Sequence, residues 1–230
     1  MRPLALVVLV PVLALARCGG GGGGAPASGE PMPVLSTFRT SIEHRYFPVS
    51  PGSTWTYAGS EDGVPRVDDV RVLEGTRRIL GVACLGIEQL VEEDGILVER
   101  TVEWYAQDAD GNVWKFGEET FERVGGSFVA QPDSWIAGSR GARPWLAFPA
   151  VPAVGQEFVG GPAGAEDRFE VVSIGEIVTT PLGAFPDCVR LLENPDDPED
   201  TDIILYADGV GMVAARFPTG GLDLVAVDIR

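Results

Sequence analysis

Few residues of this chain are of the types that carry out catalysis. Among its 230 residues there is one histidine, His44, and there are three cysteines. A serine protease-like site needs a histidine between an acid and a nucleophile, and a zinc site needs several clustered His or Cys ligands. The sequence therefore predicts a noncatalytic protein with no metal and no cofactor. A carboxylate pair among the 34 acidic residues leaves an envelope hydrolase as the least favoured alternative.

Two acidic segments are candidates for calcium binding. Residues 108–112 (DADGN) resemble the start of a calcium loop but lack the later ligands of the twelve-residue motif. Residues 194–202 (NPDDPEDTD) place five acids in a loop broken by proline. A hairpin turn is the favoured explanation of the first segment and a solvated surface loop that of the second, so no metal site is predicted.

Three tryptophans and two polar residues form a candidate ligand-binding set. The set consists of Trp104, Gln107, Asp108, Trp114 and Trp135. An aromatic ring beside an amide and a carboxylate suits the stacking of a sugar or another flat ligand. In the alternative interpretation the aromatic rings fill a core, while the amide and carboxylate fasten a hairpin through backbone hydrogen bonds.

The N-terminus has the pattern of an export signal. An arginine near the start precedes the apolar run 4–15, which is too short to span a membrane. Residues 15–18 (LARC) resemble the lipobox of bacterial lipoproteins, which implies removal of residues 1–17 and acylation of Cys18. The alternative is cleavage after Ala14-Leu15-Ala16, which would release a soluble secreted chain.

Residues 18–45 form a Gly- and Pro-rich tether that favours the anchored alternative. Six consecutive glycines follow Cys18, and a flexible linker of this kind is expected between a membrane anchor and a folded domain. We therefore expect an exported protein of the cell envelope whose partner is a membrane, reached through a lipid anchor on the periplasmic face or the cell surface. The net charge of −17 argues against nucleic acid as a partner.

Alternating apolar and polar residues predict a single β domain over 46–230. Asp62-Gly63, Asp94-Gly95 and Asp110-Gly111 are hairpin signals, and Gly125-Gly126 and Gly220-Gly221 predict further turns. Strands are expected near 53–58, 66–73, 77–91 with a break at Gly81, 96–105, 112–116, 168–179, 188–193, 202–207 and 222–229. The predicted fold is all-β and mainly antiparallel, a strongly curved sheet or open β-barrel with a long ordered loop around 131–164.

The segment 96–105 illustrates how the strand faces are assigned. Ile96, Val98, Val102 and Trp104 share one face, and the other face carries Leu97 and three polar residues, Glu99, Thr101 and Glu103. This alternation predicts a half-buried strand with the apolar face against the core.

Two cysteines lie on predicted strands of the domain. Cys84 and Cys188 would meet an oxidising compartment after export, so a disulfide between them is predicted. Two separately buried thiols are the alternative.

Several blocks of the sequence resemble a group of exported bacterial β-rich proteins and lipoproteins. Residues 46–57 (YFPVSPGSTWTY) are similar to the opening of that group, and residues 103–118 are similar to its (D/E)WYAQDxxGNVWxFGE block. Residues 133–138, 141–144 and 206–211 resemble later blocks. The resemblance implies an exported β-rich protein and transfers no activity.

These patterns favour a noncatalytic lipoprotein whose concave apolar face binds or carries a lipid or another small hydrophobic ligand. The alternative is a structural or protein-docking lipoprotein with a filled core and an exposed apolar patch involving residues 131–150.

Overall fold

The computed structural model describes residues 33–161 and 166–230, which form one large antiparallel sheet that is not closed. Its spatial order is β6-β5-β4-β3-β2-β1-β14-β13-β12-β11-β10-β9, with β7 and β8 both paired to β5. A short 3-10 turn covers Leu35–Thr37. The strands are β1 (Thr54–Glu61), β2 (Val64–Ile79), β3 (Val82–Glu93), β4 (Ile96–Gln107), β5 (Val113–Val124), β6 (Ser127–Ala130), β7 (Trp135–Ile136), β8 (Trp145–Phe148), β9 (Glu157–Gly160), β10 (Asp167–Thr180), β11 (Gly183–Glu193), β12 (Asp202–Ala207), β13 (Gly211–Phe217) and β14 (Gly220–Asp228).

The predicted fold class is confirmed: the protein is all-β and antiparallel, with a curved open sheet. The first and last strands lie side by side in the middle of that sheet, where Thr54 pairs with Asp228. None of the described residues forms a helix of the length and hydrophobicity needed to cross a membrane. The predicted signal, Cys18 and most of the tether lie outside the described residues.

Most of the predicted turns are where the glycine signals placed them. Asp62-Gly63 and Asp94-Gly95 both have positive φ and connect β1 to β2 and β3 to β4. The break at Gly81 is also confirmed, as the turn between β2 and β3. The turn predicted at Gly220-Gly221 is wrong, because the chain turns at residues 218–219 and both glycines pair with β1.

Close strand packing explains why glycines occupy that part of β14. A Cβ atom on Gly220 would lie 2.0 Å from the Ser60 carbonyl oxygen, and one on Gly59 would lie 1.9 Å from the Gly221 carbonyl oxygen. These glycines are needed for the approach of two backbones rather than for a turn.

The segment predicted as a long loop around 131–164 is partly strand. β7 and β8 add to β5, and β9 adds to β10 at the other end of the sheet. Trp145 of β8 stacks on Phe169 of β10, with ring centroids 6.2 Å apart. The segment therefore links the two ends of the curved sheet through side chains.

Aromatic side chains fill one half of the concave face. Phe47, Tyr57, Tyr105 and Tyr206 are all completely buried. The ring of Phe47 lies 5.1 Å from that of Tyr105, and the Tyr57 hydroxyl donates to the Met212 carbonyl oxygen at 3.1 Å. This half of the interior is a packed core.

The other half of the concave face is polar, contrary to the face assignment for 96–105. Glu99, Thr101 and Glu103 are each at most 5% exposed, whereas Ile96 on the opposite face is 52% exposed. The polar face was wrongly assigned to solvent, because these groups find hydrogen-bond partners within the curved sheet. Thr101, for example, donates to Glu99 and contacts the hydroxyl of Thr120 on β5. On the opposite face Val102 is buried, as predicted.

Both cysteines of the described chain are buried free thiols. The Cys84 thiol contacts the Val82 carbonyl oxygen, and the Cys188 thiol contacts that of Phe185 at 3.2 Å. The predicted disulfide is therefore not formed in the structure, which has the alternative arrangement of two separate thiols on β3 and β11.

Candidate functional site

Three residues of the predicted ligand-binding set meet at the β4–β5 turn. Asp108 accepts hydrogen bonds from Trp114 Nε1 at 2.7 Å and from the Asn112 backbone at 2.9 Å. Gln107 accepts from the Glu43 backbone at 2.8 Å and donates to the Gly111 carbonyl oxygen. These polar groups are used by the hairpin and by the segment before β1, as in the alternative interpretation of the set.

The other two tryptophans lie elsewhere. Trp104 is on the convex side, under the guanidinium of Arg77, and its Nε1 donates to Glu119 at 3.2 Å. Trp135 is half-buried on β7, opposite Glu118 of β5. The structure therefore joins Asp108 to Trp114 but does not assemble all five residues into one binding surface.

His44 is packed into the body of the protein. Its Nδ1 accepts from the Tyr46 backbone at 3.1 Å, and its Nε2 lies 3.0 Å from the Pro149 carbonyl oxygen. Both contacts are satisfied by the neutral ring protonated on Nε2. Burial lowers the pKa of His44, which agrees with this neutral form.

The acidic loop 194–202 is held by its own hydrogen bonds. Asn194 donates to Asp200 at 3.1 Å, and the Thr201 hydroxyl donates to the carbonyl oxygens of Asn194 and Asp197. Across the part of the chain that the structure describes, no three His, Cys, Asp or Glu side chains are placed to hold a metal ion.

Three groups of ionisable side chains lie in the polar half of the interior, although the sequence predicted that such side chains are exposed to solvent. The first group, the lysine triad, comprises Lys115, Glu103 and Glu118. Lys115 is the only lysine of the chain, is completely buried, and contacts a carboxylate oxygen of each glutamate. Burial alone would lower the pKa of Lys115, but the two carboxylates outweigh burial and raise it. Burial raises the pKa of Glu103 to about 7.

The second group surrounds Arg66 on β2. Its guanidinium makes a two-pronged contact with Asp68, at 2.7 and 2.9 Å, and a third contact with Glu61 at 2.6 Å. Gln89 also donates to Asp68, at 2.7 Å. This arginine group is buried and well hydrogen-bonded, the arrangement that a charged pair requires inside a protein.

The third group, the carboxyl cluster, comprises Asp167, Glu193 and Asp202, with one residue on each of β10, β11 and β12. Glu193 stands opposite Asp202 in the sheet, and Asp167 accepts from Asn194 at 3.0 Å. The second carboxyl oxygens of Asp167 and Glu193 are buried without a hydrogen-bond partner. Burial and mutual repulsion raise the pKa of Glu193 well above its usual range, and burial raises those of Asp167 and Asp202 to about 7.

The three groups face one another across the interior. The charge of Lys115 acts on Asp167 and Glu193, and that of Arg66 acts on Asp202. The two halves of the sheet are thus joined by an interior with more carboxyl groups than cations. Chemically, this arrangement stores protons: several of its carboxyl groups stay neutral at a pH where exposed ones are ionised.

Sequence reasoning missed all three groups, because their acids alternate with apolar residues and each strand taken alone predicts an exposed polar face. One signal was present: a single lysine in an apolar strand, at Lys115, is more easily explained by a buried partner than by solvation.

An exposed apolar surface lies at the end of the sheet formed by β6. All four residues of β6 are exposed, and Phe128 and Val129 are 43% and 47% exposed. Val124, the last residue of β5, is also exposed. Within the described residues no strand pairs with the outer edge of β6.

No protein-family model matches the chain, and no curated protein matches it. The chain is similar to the crystal structure of a protein with a YmcC-like fold from Bacteroides fragilis NCTC 9343, inferred to be exported, at 15% identity and a TM-score of 0.45. It is also similar to that of a protein from Parabacteroides distasonis ATCC 8503, inferred to be a lipoprotein, at 14% identity and a TM-score of 0.44. Each match covers 80% of this chain and 99% of the other. The function of this chain is therefore inferred from its own residues.

Proposed function

We propose that this protein is an exported, lipid-anchored envelope protein whose β domain is noncatalytic, has a filled interior, and docks to another envelope protein. The anchor is supported by the export signal, the lipobox-like residues 15–18 and the tether that follows. The resemblance to exported β-rich proteins over residues 103–118 points the same way. The observation that favours docking over ligand transport is the packing of the concave face.

The concave face is poorly suited to an acyl chain. Its apolar half is occupied by Phe47, Tyr57, Tyr105 and Tyr206, and its other half carries buried charges such as Arg66. An apolar ligand there would displace core side chains or lie against ionised groups, and both cost free energy. This arrangement corresponds to the filled core of the docking alternative.

The outer edge of β6 is the surface best suited to docking. An exposed strand of uncharged residues offers unpaired backbone groups to an extended segment of another protein. Phe128 and Val129 supply apolar side chains for that contact. The acidic charge of the chain favours a basic partner segment.

The anchor is tested by labelling exporting cells with a fatty-acid analogue. Wild type and the control Cys84→Ala should be labelled and found with the membrane fraction, whereas Cys18→Ala should be unlabelled and soluble. An unlabelled wild-type chain that begins at Arg17 would contradict the lipid anchor and indicate a soluble secreted protein.

Docking is tested by placing a photoreactive residue at Phe128 and, as a control, at Ile177, which is exposed on the distant β10–β11 hairpin. In intact envelopes we expect one defined cross-linked product from position 128 and none from position 177. Absence of a product at 128, or a lipid that co-purifies with the folded domain in native mass spectrometry, would contradict the docking proposal.

A further inference from the structure

The lysine triad places an amine and two carboxyl groups in contact in a site closed to solvent. Lys115 on β5 is completely buried, and Glu103 on the neighbouring β4 is 1% exposed. The Lys115 Nζ contacts Glu103 Oε1 and Glu118 Oε2. The amine therefore lies beside a carboxyl carbon that is shielded from competing water.

Hydrogen bonds distinguish the two glutamates. The other oxygen of Glu103, Oε2, accepts from the Tyr105 hydroxyl at 2.9 Å, while Glu118 Oε1 accepts from Thr120 at 3.2 Å. Burial holds the pKa of Glu103 near 7, so its neutral acid, the form that an amine can attack, is populated at neutral pH. Glu118 is the less buried of the two and is the natural proton acceptor.

We propose that Lys115 and Glu103 condense to an intramolecular amide that cross-links β4 and β5. Glu118 takes a proton from the Lys115 ammonium, and the free amine attacks the Glu103 carboxyl carbon. The N–C bond forms and the C–OH bond breaks. The hydroxyl leaves with a second amine proton as water, and Glu118 keeps the first proton, so no oxidant, reductant or activated co-reactant is needed.

Proximity makes this condensation favourable although free acids and amines do not condense in water. Well-oriented intramolecular reactions reach effective concentrations of about 10⁵–10⁸ M. The Tyr105 hydroxyl is placed to stabilise negative charge on the carboxyl oxygen during the attack. The site thus has an amine, an electrophile, a proton acceptor and a hydrogen-bond donor for the oxyanion.

Two measurements on the purified wild-type chain under denaturing conditions test the amide. The intact mass should be lower by one water molecule than the mass calculated for the mature chain from its processed N-terminus and the acyl groups on Cys18. A lysine-specific protease, which can cut this chain only after Lys115, should leave it whole, because the acylated side chain is not recognised. Both results are needed, since succinimide formation at an Asp-Gly pair also loses water but leaves Lys115 cleavable. Full mass with cleavage into two fragments overturns the proposal.

A pair of variants tests the role of Glu118. Glu118→Gln lacks the proton acceptor and should retain its full mass and become cleavable after Lys115. The matched control Glu88→Gln removes a buried carboxylate that pairs with Arg71 and Arg100, and it should still lose one water. Loss of water in both variants would overturn the assignment of Glu118. Circular dichroism of each variant confirms that it is folded.

Discussion

Replacing Asp167 by asparagine will stabilise the protein at alkaline pH and leave its stability at acidic pH nearly unchanged. In the folded protein, burial raises the pKa of Asp167 from 3.8 to about 7. The folded state therefore holds a proton over a pH range in which the unfolded state has released it. The stability associated with this group is complete below about pH 4 and is lost as the pH rises through about 7.

The magnitude follows from that difference in pKa. A tenfold change in the ionisation equilibrium is worth about 1.4 kcal/mol, so the full cost of ionising Asp167 in the folded state is about 4 kcal/mol. Structural relaxation and entry of water reduce this cost. We therefore expect the free energy of unfolding of Asp167→Asn to exceed that of the wild type by about 2 kcal/mol or more at pH 8. The amide oxygen still accepts from Asn194, which protects the fold.

Denaturant unfolding, followed by tryptophan fluorescence at several values between about pH 5 and pH 8, measures the effect. The free energy of unfolding of the wild type should fall with rising pH, and that of Asp167→Asn should fall less. Asp110→Asn, at an exposed turn, is the control and should follow the wild type. Equal pH dependence in Asp167→Asn and wild type would refute the account of a buried carboxyl cluster that stores protons.

Two further predictions concern packing. Gly59→Ala should lower the free energy of unfolding by about 3 kcal/mol or more, because the added Cβ would meet the Gly221 carbonyl oxygen. Gly63→Ala should lower it by about 1–2 kcal/mol, because Gly63 has open space around it but a positive φ. Equal losses of stability for the two variants in urea titrations would contradict this prediction. Cys84 and Cys188 should react with a thiol reagent only after unfolding, because both are buried and burial raises the pKa of Cys84 to about 12. Immediate reaction of these cysteines in the folded protein at neutral pH would contradict their burial. If the protein unfolded without reductant showed no reactive thiols at these two positions, the two cysteines would not be free.

The fold could be predicted from local signals because turns are local. Asp62-Gly63 and Asp94-Gly95 adopt positive φ through their own chemistry, whatever surrounds them. The hairpin at Leu80-Gly81 was found only through its glycine, since leucine is rare at positive φ. The short strand β6 and the strand β13 were not predicted, because few alternating residues mark them.

The interior could not be predicted because burial of a polar side chain depends on partners from distant strands. Glu103 belongs to a face that alternation assigns to solvent, yet its partner Lys115 lies across a turn on the next strand. Arg66 likewise needs Asp68 and Glu61 to be tolerated inside. The partners of such groups come from several strands of the curved sheet, so the sequence of one strand alone does not identify them.

The position of β1 beside β14 determines how the two halves of the sheet come together in time. Pairing of Thr54 with Asp228 joins segments separated by nearly the whole domain, and the Arg230 backbone also donates to Ser53 at 3.1 Å. Hairpins within each half can form early from nearby residues, but the curved sheet is complete only when its last strand arrives beside its first. Such non-local pairing slows folding. A chain threaded across a membrane from its N-terminus would therefore remain incompletely folded until β14 had emerged, a property that suits a protein exported in extended form.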